Sequence, residues 1–119
     1  MDGTNQSEAF EIIVGEKLSA VTFVLDYWQL QFEGPMINVM SRIEVHNDGA
    51  TVRDSDFGFR DRLCGQIGKI VTNAELSADE LTIRFEDRST IAISIRDEDY
   101  HGPEALLLTD AARKLFVVI

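Results

Sequence analysis

The densest group of residues able to do chemistry is the run Asp97-Glu98-Asp99-Tyr100-His101, with Glu104 three positions further on. Carboxylates and an imidazole suit several divalent metals, and a perturbed carboxylate or histidine in a cleft could move protons. The same run also has the composition of a solvated loop with Asx turns. That is the reading adopted, so no metal and no cofactor are expected. A second acidic group, Asp54-Ser55-Asp56, lacks the further oxygen ligands, the central glycine and the terminal glutamate of a calcium loop.

A nucleophile needs a base that is itself oriented. Cys64 is the single thiol, on the apolar side of a predicted helix, and is expected to be a small core residue. His46 and His101 fall in predicted turns without a neighbouring nucleophile. Cys64-Gly65-Gln66-Ile67-Gly68 has neither the spacing nor the lysine of a phosphate loop. An enzyme built on the acidic loop 97–104 is therefore the least favoured reading.

The elements that would position these residues are written twice. A shift of 53 lays Gly15 over Gly68, Asp26 over Asp79, and Trp28, Leu30 and Phe32 over Leu81, Ile83 and Phe85. Phe10 falls on Leu63 in the same register. Each half reads as a short helix, a glycine stop and a run of strands. In the second half Asp54, Ser55 and Asp56 offer helix N-caps, and Gly68 offers a left-handed end. Leu63 and Ile67 offer that helix an apolar face, and Gly65 within it predicts close packing against a neighbour.

Beyond each glycine the period changes to two. Val21, Phe23 and Leu25, then Trp28, Leu30 and Phe32, then Leu81, Ile83 and Phe85, then Ile91, Ile93 and Ile95 alternate with more polar residues. This is the pattern of half-buried strands. Glu86-Asp87-Arg88 predicts one hairpin turn, and Asp48-Gly49 predicts another because that pair supplies the positive φ of a type I′ turn. Leu106–Leu108 and residues 115–119 are apolar throughout, which a strand tolerates at the centre of a sheet or in a subunit interface. The expected fold is α+β and mainly antiparallel: one domain over 1–119, with pseudo-repeats 8–53 and 61–119. The two duplicated halves would form a bent sandwich or a partly closed barrel.

With 11 basic and 21 acidic residues, the formal charge is −10. That field repels phosphate backbones and anionic membranes, so neither nucleic acid nor membrane is an expected partner. Basic proteins are steered towards it. The 45% apolar and 27% charged content is that of a folded globule. One cysteine allows no internal disulfide, and residues 1–8 carry no basic or apolar leader pattern, which predicts a cytoplasmic location.

The runs 25–35 (Leu-Asp-Tyr-Trp-Gln-Leu-Gln-Phe-Glu-Gly-Pro), 60–68 and 101–105 (His-Gly-Pro-Glu-Ala) resemble stretches of short bacterial proteins of unassigned function. The resemblance spans roughly residues 15–108. It implies a bacterial origin and a single domain, and it assigns no chemistry.

The expected function is a non-catalytic protein-interaction module, in its sharpest form an immunity-type inhibitor of a basic protein. A small-molecule-binding, barrel-like domain is the alternative, with the acidic-loop enzyme behind it. The expected binding residues are the polar strand row Tyr27, Gln29 and Gln31, joined by Asp97, Asp99 and His101. Trp28 shares the face of Leu30 and Phe32 and is expected in the core. A homodimer through the C-terminal strand is expected from its apolar composition.

Overall fold

Gly15 and Gly68, which follow the helical stretches, are both left-handed, at φ 89° and 97°, where a side chain would be strained. The computed structural model describes residues 8–100 and 102–119. Among them lie ten strands: β1 (Ala20–Val24), β2 (Tyr27–Gln31), β3 (Met36–Val39), β4 (Ile43–Asn47), β5 (Ala50–Arg53), β6 (Val71–Leu76), β7 (Glu80–Phe85), β8 (Thr90–Ser94), β9 (Leu106–Asp110) and β10 (Leu115–Val118). A 3₁₀ turn at Phe10–Ile13 precedes β1, and a second, Asp97–Asp99, lies between β8 and β9. The helix α1 (Phe59–Cys64) precedes β6.

The strands form two antiparallel five-stranded sheets. Sheet A has the order β1-β2-β3-β9-β10, and sheet B has β6-β7-β8-β4-β5. Each sheet thus takes three strands from one half of the sequence and the last hairpin from the other. The alternation read from the sequence decides which side faces inward. Leu30, Ile37, Val39, Leu106 and Leu108 of sheet A share one buried cluster with Val45, Leu81, Ile83, Ile91 and Ile93 of sheet B. Phe10 and Leu63, matched by the shift of 53, are both fully buried. The Asp48-Gly49 turn has φ of 54° and 76°, both positive as a type I′ hairpin requires.

The hydrogen bonds between the halves repeat when the halves are exchanged. The Gly15 amide donates to the Val71 carbonyl and the Gly68 amide to the Leu18 carbonyl, both at 2.8 Å. The Leu18 amide meets the Lys69 carbonyl at 3.0 Å, and the Val71 amide meets Glu16 at 2.9 Å. Within each half, the Ser19 hydroxyl donates to the Gln31 carbonyl and, at the matching positions, the Thr72 hydroxyl to that of Arg84. At the centre of this arrangement lies an antiparallel bridge between Lys17 and Ile70.

One position breaks the likeness. Gln66 stands where the shift places Ile13, and both are fully buried. A buried amide is costly unless bonded, and a polar chain satisfies this one. The Gln66 Nε2 donates to Ser89 Oγ at 2.7 Å, and Lys69 Nζ donates to Gln66 Oε1 at 2.8 Å. Lys69 Nζ lies 2.7 Å from Asp87 Oδ2, and Ser89 Oγ donates to Asp87 Oδ1 at 2.5 Å.

The second-half helix differs from its sequence pattern. It begins after Gly58, which is left-handed at φ 85° and leaves no side-chain cap, and it ends at Gly65 rather than Gly68. The face is rotated accordingly: Leu63 and Gln66 point inward, Ile67 is 41% exposed, and Cys64 is exposed rather than in the core. A Cβ on Gly65 would meet the carbonyls of Arg62 and Asp61, at 3.3 and 3.4 Å, so its own turn rather than a neighbouring element crowds it.

The outer faces of the sheets have different chemistry. On sheet A one cross-strand row runs Ala20, Gln31, Met36, Thr109, Phe116. The next runs Thr22, Gln29, Asn38, Leu107, Val118. On sheet B the row Arg53, Glu44, Ala92, Thr82, Glu75 carries three charges.

Candidate functional site

A concave surface lies where the β1–β2 hairpin, α1 and the 95–105 connection meet. Residues 40–42 suffice to link β3 to β4, whereas residues 95–105 link β8 to β9 and contain the acidic 3₁₀ turn. The extra length is folded onto the sheets by its own polar groups. Ser94 Oγ donates to Asp99 Oδ2 at 2.6 Å, and Ser41 Oγ donates to the Asp99 carbonyl at 3.2 Å. The Tyr100 hydroxyl donates to Asp97 Oδ1 at 3.0 Å. That bond to a carboxylate pushes the Tyr100 phenol above its ordinary range, because losing the proton would leave two anions facing each other.

Two adjoining concavities, of about 420 and 460 Å³, share Trp28, Asp54 and Arg60. Trp28 forms their floor, edge-on to Phe23 at 5.3 Å and inclined by 62° to Phe59 at 5.3 Å between ring centroids. Arg60 Cζ sits 5.0 Å from the Phe23 ring centroid, in cation–π range. The rim carries Leu25 (95% exposed) in the β1–β2 turn and Phe57 (105% exposed) before α1. Neither serves the core. Asp56 Oδ2 accepts from the Arg53 amide at 2.9 Å, and this local turn throws the following Phe57 outward.

Six carboxylates line the two concavities (Asp26, Asp54, Asp56, Asp61, Glu98 and Asp99) against two guanidiniums, Arg42 and Arg60. Asp54 also lines a third concavity of about 480 Å³ on the sheet B side, where Arg53 pairs with Glu44 at 3.2 Å and Arg96 with Asp79 at 3.6 Å. The Asp54 Oδ1 is sealed from solvent without a hydrogen-bond partner among the described residues.

Of the residues expected from sequence, Tyr27 and Asp99 are brought together in one concavity. Asp97 is engaged by Tyr100 nearby. Gln29 and Gln31 lie further along the outer face of sheet A, and His101 lies outside the described residues. Trp28 packs against the core as expected, but is only half-buried, and its free surface is the groove floor. Leu25, Phe57, Asp54 and Arg60 were not expected. The one available signal was a large apolar side chain, Phe57, placed between turn formers Asp56 and Gly58, where no strand or helix period needs it. Among the described residues no group of three or more histidine, cysteine or acidic side chains could hold a metal ion, and no helix is long and apolar enough to cross a membrane. The chain matches no protein-family model, and neither the curated proteins nor the solved structures contain a significant match to it.

Proposed function

We propose that this chain is a non-catalytic protein-interaction module that receives a basic partner protein in the Trp28 groove, as an immunity-type inhibitor of a cationic protein would. The observation that carries this reading is the groove itself: an aromatic floor, two fully exposed apolar side chains on the rim, and six carboxylates against two guanidiniums. Exposed aromatics over a desolvated floor make binding hot spots, and surrounding carboxylates attract and orient a basic surface. Arg60 over Phe23 is an internal example of the cation–aromatic contact a partner would make. The frame behind the groove is read as one domain of two duplicated halves, 8–53 and 61–119, packed as a bent sandwich with exchanged last hairpins. The hydrogen bonds repeated at a shift of 53 support that reading.

Trp28 is the only tryptophan, so its fluorescence reports on the groove directly. The test titrates the protein with a peptide alternating arginine and leucine, and with a control carrying glutamate for arginine. A saturable change with the basic peptide is expected, weakening as salt shortens the Debye length to about 10 Å at 0.1 M. It is expected to be lost in Phe57→Ser with the fold intact. An equal response to the acidic peptide, or a response indifferent to Phe57→Ser, refutes the proposal.

A further inference from the structure

The outer face of sheet A is uncharged across all five strands, in a chain whose formal charge is −10. Its two central rows offer amides and hydroxyls on one side and apolar groups on the other, with Phe116 69% and Val118 42% exposed on the β10 side. Asp110, at the end of β9, is turned inward and only 1% exposed. Burial pushes its carboxyl up, but the Arg113 guanidinium and the Ala112 and Arg113 amides hold it below its ordinary value. The sheet's charge is thus kept off this face. We propose that the outer face of sheet A is the surface through which two copies of this chain associate, face to face about a twofold axis.

The occupant follows from the charge. Two acidic molecules repel through most of their surface, and a neutral face is where they meet without opposing like charges. A basic protein finds no carboxylate here, and a nucleic acid finds no cation. A self-associating pair needs only that apolar groups meet apolar groups and that side-chain amides and hydroxyls meet one another, which a twofold axis arranges. Strands about 4.8 Å apart rising about 3.4 Å per residue give a face roughly 24 Å wide and 15 Å long. As a flat footprint that is about 360 Å², under half of the about 800 Å² per partner of a standard interface, so the dimer is weak and transient, with a Kd on the order of tens of micromolar.

The test is sedimentation velocity of the full chain up to several hundred micromolar, about tenfold above that Kd. The wild type is expected to shift with concentration towards twice its 13.4 kDa mass. Phe116→Glu, on β10, and Gln29→Glu, on β2, each place a charge on the face, and both are expected to abolish the shift. Thermal melts show whether each variant is folded, and Thr22→Glu replaces either one that is not. A wild type that stays monomeric overturns the proposal. So does a dimer that survives Gln29→Glu, since pairing along the β10 edge alone would do that. Phe57→Ser should leave sedimentation unchanged, which separates this face from the Trp28 groove.

Discussion

Replacing Asp87 by asparagine removes the charge from the buried Gln66–Ser89–Lys69 network and makes a quantitative test of it. The Lys69 ammonium and the Ser89 hydroxyl together draw the Asp87 carboxyl down from 3.8 to about 2, against the opposing effect of burial. At about 1.36 kcal/mol per unit that difference corresponds to roughly 2.4 kcal/mol. The Asp87 side chain is 41% exposed, and solvent screening reduces this to about 1 kcal/mol. Because the folded-state value is depressed, the stabilisation is complete above the unfolded value of 3.8 and is lost as pH falls through about 2. Urea unfolding followed by Trp28 fluorescence, from neutral pH down to about pH 2, measures it. The gap between wild type and Asp87→Asn should be about 1 kcal/mol at neutral pH and should close towards pH 2. The remaining acidic residues titrate in both proteins and cancel in the difference. A gap that stays constant across the range, or none at neutral pH, refutes the assignment. Lys69→Met should still cost about 1 kcal/mol or more once Asp87 is asparagine, because it also strips the donor from the buried Gln66 Oε1.

Phe85→Ala empties a site that is 1% exposed between the sheets and should cost about 3–5 kcal/mol in denaturant midpoint experiments. A loss below about 1 kcal/mol would mean that the core is not closed there. Cys64 should react with a thiol reagent in native buffer as fast as a free cysteine, whereas protection released only by denaturant would return it to the core. Asp54→Ala removes a carboxylate oxygen held from water without a donor and should raise stability by about 1 kcal/mol in thermal melts, while weakening capture of the basic peptide. A loss of stability would show that Asp54 is satisfied in solution.

The sheets were legible because period two is a strong local signal. Leu81, Ile83, Phe85, Ile91 and Ile93 all face the core as their alternation requires, and Asp48-Gly49 turns as its chemistry requires. The helix was less legible because a six-residue segment holds under two turns, too few for apolar spacing to fix its face. Gln66 is buried where Ile67 was expected, since a bonded amide can replace an apolar side chain only when partners meet it, here Lys69 three residues on and Ser89 from across the fold. The groove was hidden for a related reason. Trp28, Asp54, Phe57 and Asp99 meet only through tertiary contacts, and Leu25 and Phe57 sit in turns whose exposure no periodicity encodes.

The exchange of last hairpins between sheets governs the order in which the molecule can be assembled. Ile37 of β3 pairs with Leu108 of β9, so the middle of sheet A depends on a partner synthesised 108 − 37 = 71 residues later. A half made alone retains three strands with an unpaired inner edge at β3 or β8, and no local hairpin can close it. Loop closure over such separations slows folding. On a ribosome delivering the chain from its N-terminus, β1–β3 wait with an open edge until β9 and β10 emerge. That interval, rather than the finished fold, is when the sequence is most exposed to wrong pairing.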